Sequence, residues 1–226
     1  MSMMSISTVR NTQSLLAQAM MLMKQDQYTK ALPFLKNIQK QDPTHAEVQQ
    51  LLGIVLAKLS MPKQALHHCN QAIHYAPNRK DYYLNRAKIY KLLGQEENVV
   101  PDLEHALTLD PQYYAAHIAL GDWHYDNNAY EAARTHYEAG LQLRDQDPNI
   151  WCKLGASYMG LKNYPKAKSA LNIALRIHPE HAKALAYLGN VLRFMHKNDE
   201  AILLYEKAFT LDPSLKSAHI YARATS

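Results

Sequence analysis

Apolar and small residues recur along the chain in two alternating rhythms, each marking one helix face. In the stretch WCKLGASYMGLKNYPKAKSALNIALRIHP (151–179), Trp151, Leu154, Gly155 and Tyr158 step by three, one and three residues. At the helical period these positions form one stripe. Ala167, Leu171 and Ala174 step by four and three and mark a stripe on a second helix. Turn signals lie between the stripes: Gly160, and Pro165 near the second helix's start, where a missing N–H costs little. Pro179 ends the second helix, because the residue before a proline is pushed out of the α region. The pattern predicts a hairpin of two helices sharing one apolar seam.

The same frame returns every 34 residues without insertion, the first thing to test for in any chain. With Trp151 as slot 4, slot 8 holds Ala19, Gly53, Ala87, Gly121, Gly155 and Gly189. Slot 20 holds Ala31, Ala65, Val99, Ala133, Ala167 and Ala201, and slot 27 holds Ile38, Ala72, Ala106, Gly140, Ala174 and Ala208. Slot 32 is Pro in every unit but the fourth, where it is Asp145. Small residues at slots 8, 20 and 27 let two backbones approach, and bulky slots 4, 11 and 24 fill the space around them. Gly94, residues 126–128 and Pro62 mark further turns. Pro33 and Pro101, both at slot 22, fit only if they fall within the first turn or so of the second helix.

In these slots the chain resembles the tetratricopeptide repeat family over residues 12–215. The resemblance implies an all-α fold, a right-handed α-solenoid of antiparallel helix pairs. Six repeats are expected at 12–45, 46–79, 80–113, 114–147, 148–181 and 182–215. Residues 1–11 are expected to be a cap or frayed segment, and 216–226 a C-terminal capping helix. In the family, slots 2, 5, 9 and 12 of the first helix, which point away from the pair, line a concave groove that holds peptide or helical segments of other proteins. The peptide-binding face so implied carries Met20, Gln50, Ile54, Lys88, Lys91, Asp122, Tyr125, Met159, Asn190 and Arg193, with Asn85 at slot 6. Leu16, Leu84, Ile118, Cys152, Ala156 and Ala186 occupy further positions of the same face, where packing against the next repeat is the alternative. The family's clamp for acidic chaperone C-termini is not expected. Asn85 matches one of its positions, but Gln50, Ile54, Ala115 and Ala119 stand at others. The slot-6 asparagine ladder of O-GlcNAc-transferase-like arrays is absent as well.

Charge sharpens the picture of partners. Net charge is +5, with a pI near 9.0. Residues 1–95 carry twelve Lys or Arg against four Asp or Glu, residues 96–147 two against eleven, and residues 148–226 eleven against five. An acidic middle interrupts the continuous basic stripe that nucleic acid would need, so the expected partner is another protein. The alternation also motivates self-association, the acidic stretch of one copy meeting a basic end of another. Two cysteines, Cys69 and Cys152, make no disulfide framework. No apolar run suits membrane insertion or an export signal, and a cytoplasmic address is expected.

No nucleophile motif, phosphate loop or metal-protease signature appears, and no catalytic residue, metal or cofactor is expected. His117 and His124 stand at slots 4 and 11 and are expected as packed imidazoles rather than ligands. The sequence therefore points to a non-catalytic scaffold or adaptor. Two alternatives stay open: the repeat region of a larger sulfotransferase- or glycosyltransferase-like enzyme, and a secretion or pilus-assembly accessory protein or chaperone.

Overall fold

The structure is a computed structural model that describes residues 6–215, with side chains from residue 11. The described residues form twelve α-helices and one 3-10 turn, without strands. Contacts divide the chain into two units, Met1–Tyr113 and Tyr114–Ser226. In the first unit, α1 (Ile6–Lys24) pairs with α2 (Tyr28–Gln41), and α3 (Ala46–Lys58) with α4 (Pro62–Tyr75). There α5 (Lys80–Leu93) pairs with α6 (Val99–Leu109) through the 3-10 turn Glu96–Asn98. In the second unit, the pairs are α7 (Tyr114–Asp126) with α8 (Tyr130–Leu143), α9 (Pro148–Gly160) with α10 (Tyr164–Ile177), and α11 (Ala182–Phe194) with α12 (Asn198–Leu211). Within each unit every second helix also packs on the next first helix, the stacking of an α-solenoid. Residues 1–5 and the expected capping helix at 216–226 lie outside the described residues, while α1 takes in residues 6–11.

The seam follows the small slots. In the first unit Ala19, Ala31, Leu35 and Ile38 are fully buried with Val48, Leu52 and Val55 of α3. In the second, Ala167, Leu171 and Ala174 join Ala184, Leu188, Val191, Ala201, Tyr205 and Ala208. Glycine at slot 8 is demanded where slot 24 is tyrosine. A Cβ on Gly121 would lie 2.5 Å from Tyr137 Cε1, and one on Gly189 2.6 Å from Tyr205 Cε1. At such distances the buried ring would have to shift, which a close-packed seam resists.

One device closes all six hairpins. Asp26, Ser60, Gly94, Asn128, Lys162 and His196, all at slot 15, take the left-handed conformation with φ between 55° and 69°. The next residue's N–H bonds back across the helix end in every case, for example Gln27 to the Leu22 carbonyl at 2.9 Å and Asn163 to Tyr158 at 2.8 Å. This is a Schellman closure, and only Gly94 meets it without a Cβ penalty. Gly160, expected as a turn residue, is instead the last residue of α9, and Lys162 makes the turn. The turn register is inherited from the repeat and imposed on whichever residue stands there.

The prolines at slot 22 behave differently from each other. Pro101 is the third residue of α6, because the 3-10 turn delays that helix's start. Pro33 is the sixth residue of α2, beyond the first turn where it was expected, so the bond its N–H would make to the preceding turn is lost. Its exposed position keeps the ring clear of the seam.

Candidate functional site

The two units present the predicted binding face in different ways. In the first unit, slot 5 packs down while slots 9 and 12 stay open. Gln50 is only 3% exposed and Leu84 is buried, so Gln50 is not the open groove residue the slot pattern predicts. Ile54 and Asn85 are half-buried, and Met20, Lys88 and Lys91 are exposed. Met21 and Leu92, two large apolar side chains, are also exposed on α1 and α5.

One buried polar group at the base of this face, Gln50, lacks a hydrogen-bond partner. Gln49 is buried too, but its amide donates to the Pro43 carbonyl at 2.6 Å and its oxygen meets His68 Nδ1 at 2.7 Å. Its neighbour Gln50 has neither: both its side-chain nitrogen and oxygen are buried without a hydrogen bond. Such orphaned groups are rare, and each costs about 1–3 kcal/mol. Lys88 is exposed, with part of its side chain lying against the protein. That burial pushes its pKa below the usual lysine value, and the nearby Lys58 charge lowers it further. Lys58 lies 5.9 Å above the Tyr28 ring and, like Lys88, makes no ion pair among the described residues.

In the second unit the same slots are tied up by the protein itself. Asp122 accepts from the Tyr137 hydroxyl at 2.7 Å and from Lys153 Nζ, 2.7 Å from each carboxylate oxygen. Burial and the bond to Asp122 both push the Tyr137 phenol up. Asn190 repeats the arrangement, its oxygen accepting from the Tyr205 hydroxyl at 2.8 Å. The Tyr125 and Tyr187 hydroxyls interact, linking α7 and α11 on either side of α9. On α9, Cys152 is 3% and Ala156 2% exposed. Burial pushes the Cys152 thiol up to about 12, which leaves it protonated and unreactive at neutral pH. Met159 is half-buried, and Arg193 lies over the Phe194 ring at 4.8 Å.

Asp122 and Asn190 are thus partners of slot-24 tyrosines. Lys153 and Tyr187 were missed because slot 6 was read only for asparagine, and Lys58 because slot 13 lies outside the family's groove positions. The sequence held one usable signal: only units four and six combine Gly at slot 8, Asp or Asn at slot 9 and Tyr at slot 24.

The expected imidazoles, His117 and His124, are half-buried and join a third. His117 Nδ1 lies 3.3 Å from His136 Nδ1, and the His124 ring stacks on His136 at 5.5 Å with planes 6° apart. Burial is the main cause that pushes His136 down to about 4, with the two neighbouring imidazoles adding to it. Among the described residues no group of three or more His, Cys, Asp or Glu is arranged to hold a metal ion. None of the described helices is long and apolar enough to cross a membrane.

On the other side of the second unit a cleft of about 520 Å³ opens between α8 and α10 over α9, lined by Leu141, Trp151, Leu154, Tyr158 and Ile173. It continues past Tyr158 and Lys166 into a polar recess of about 310 Å³ at Glu131 and Arg134. Arg134 there bridges Glu131 at 2.8 Å and Glu138 at 3.2 Å. Slot analysis did not single out this cleft, because its walls are second helices.

Comparison with known proteins agrees with the hairpin architecture. Models described as "Tetratricopeptide repeat" match residues 22–89, 80–113 and 147–214, and one described as "TPR repeat" matches 121–162. The BBSome complex member BBS4 of Bos taurus is 25% identical over 175 residues, 76% of this chain and 34% of its own length. The Hsp70-Hsp90 organizing protein of Triticum aestivum is 31% identical over 120 residues, 53% of this chain and 20% of its own. The chain therefore spans well under half the length of these relatives. Among solved structures, that of pilF from Pseudomonas aeruginosa superposes with a TM-score of 0.83 at 16% identity, covering 96% of this chain and 98% of that one. At that identity the likeness shows the fold alone.

Proposed function

The chain belongs to the tetratricopeptide repeat family, and from that premise we propose that these residues act as a non-catalytic scaffold binding a segment of another protein on the face formed by slots 9 and 12 of their first helices. A protein–protein interaction role is what the family supports in general; the face and the segment are our reading. The observation that carries it is the first unit's open surface, where Met20, Ile54, Lys88 and Lys91 remain accessible above a packed slot 5. Apolar side chains there supply area and the lysines supply register, the usual division of labour in peptide recognition. Asn85 belongs to the same proposed face. In the second unit the half-buried Tyr125, Met159 and Arg193 complete the proposed face, with Asp122 and Asn190 as their support. The repeat boundaries at 12–45 and onward, the terminal caps and a cytoplasmic setting belong to the same proposal.

Site-specific photo-crosslinking tests the face. A crosslinker placed at Met20 or Lys91 should trap the partner in cell extract, and one at Ile173 in the outer cleft should not. Trapping at Ile173 alone would move the binding site to the cleft. The alternating charge also supports contact between copies. Sedimentation at low salt and high concentration should then show a dimer, and a monomer there removes self-association.

A further inference from the structure

Going beyond the scaffold reading, we propose that the outer cleft of the second unit binds a small amphipathic carboxylate. Its apolar body would lie over Trp151, Leu154 and Ile173, with its anionic end at Lys166. The cleft exists because one residue is small. Slot 23 of the second helices reads Phe34, His68, Asp102, His136, Ala170 and Leu204. In three units this side chain reaches the first helix of its own hairpin at slot 4 or slot 7. His68 meets Gln49 at 2.7 Å, Asp102 holds Arg86 at 2.6 and 2.8 Å, and His136 meets His117 at 3.3 Å. Phe34 and Leu204 instead pack against the apolar clusters of their units. Ala170 has nothing to reach with, and an opening remains above Trp151 at slot 4 and Leu154 at slot 7. Its volume, about 520 Å³, falls within the roughly 300–1,000 Å³ of small-molecule sites.

Electrostatics choose the ligand. Four charged side chains line the cleft and the polar recess it runs into: Glu131, Arg134, Glu138 and Lys166. Three of them are spent on one another. Arg134 bridges Glu131 and Glu138, and Glu138 also accepts from the Tyr158 hydroxyl at 2.7 Å. Lys166 lines both cavities and makes no ion pair among the described residues; its ammonium lies 5.6 Å over the Tyr158 ring. It also stands in the first turn of α10, which holds no acid and where the helix dipole disfavours a cation. An anion beside Lys166 answers the lysine and the dipole together. A basic ligand would meet only carboxylates that already have partners. The apolar walls also offer an extended main chain little to bond. The Trp151 N–H is spent on the Asp145 carbonyl at 2.6 Å, and the Ser169 hydroxyl on the Pro165 carbonyl at 3.1 Å. A compact apolar body with one acidic end fits better than a peptide strand.

The test uses the full chain with phenylbutyrate, phenylbutyramide and phenylbutylamine, which share one apolar body and differ in the charge of the end. Binding is read by Trp151 fluorescence in a Trp123→Phe background and by saturation-transfer NMR. The carboxylate should bind about tenfold or more tightly than the amine, and more weakly as salt rises. Lys166→Gln should bring the carboxylate down to the level of the amide and leave the amide unmoved. Ala170→Phe places in the cleft the ring that the first unit carries at slot 23, and should abolish binding of all three probes. If Ala170→Phe loses its helical circular dichroism, Ala170→Leu, the residue of the sixth unit, gives the same reading. Equal affinity for the three probes, full affinity in the folded Ala170 variant, or no saturable binding of the carboxylate at millimolar concentration overturns the proposal. So does a crosslinker at Ile173 that traps a polypeptide from cell extract, which would assign the cleft to a protein. The first three results leave the scaffold reading standing, since none of them touches Met20 or Lys91.

Discussion

The first helices of the two units use the same slots for opposite purposes. In the second unit, slot 9 carries Asp122 and Asn190, and each is held by a tyrosine from its own hairpin; Lys153 adds a second bond to Asp122. In the first unit, slot 9 carries Met20, Ile54 and Lys88, slot 24 carries Leu35, Cys69 and Leu103, and the buried Gln50 finds no hydrogen-bond partner. At slot 9 of the second unit the hairpin completes its own polar groups, whereas Gln50 in the first unit is left without a hydrogen bond. Polar groups that the fold completes by itself contribute to stability, and a buried one it leaves open costs stability.

The largest expected break in this contrast comes from Tyr137→Ala. It removes a fully buried ring and the partner of Asp122, and should destabilise the second unit by about 3–5 kcal/mol in urea unfolding. Asp122→Ala is gentler, at about 1–2 kcal/mol. Its cost comes mainly from the stranded Tyr137 hydroxyl, because Asp122 and Lys153 are both well solvated and their ion pair adds little. Gln50→Leu in the first unit should have the opposite sign, unchanged to about 1 kcal/mol more stable. Finding Asp122→Ala neutral and Gln50→Leu destabilising would erase the distinction between the faces.

Acid should act on the second unit through His136, as it should more mildly on the first through the half-buried His68, whose pKa burial also lowers. The folded pKa of His136, about 4, lies below its ordinary 6.5, so the unfolded chain takes up the proton first. The stability held by the neutral imidazole is intact above pH 6.5 and drains away as pH falls toward 4. His136→Gln should flatten that part of the pH profile of unfolding. The smallest effect is expected of Lys58→Met, which removes a like charge and should move the Lys88 pKa back toward the usual lysine value, read by NMR. An unmoved Lys88 would mean that burial alone sets its value.

Much of this was legible in the residues. The spacing at slots 4, 7, 8 and 11 and at 20, 24 and 27 foretold the paired helices, since each records a requirement the hairpin meets locally. The binding face was legible only as a set of positions. Gln50 and Asp122 occupy equally eligible slots, yet one is buried without a partner and the other is engaged twice. Neither fate is written in its own slot, because each depends on what the neighbouring helix supplies.

The sequence by itself determined the helices, their pairing and the 34-residue frame, through apolar periodicity and the sizes that a close seam tolerates. Only the tertiary structure decided that Lys162 rather than Gly160 makes its turn, and that Pro33 sits inside a helix. It alone decided that Tyr137 satisfies Asp122 while nothing satisfies Gln50. Periodicity reports which way a side chain points along its own helix. Whether a polar atom finds a partner depends on distances between helices, and those exist only once the hairpins have stacked.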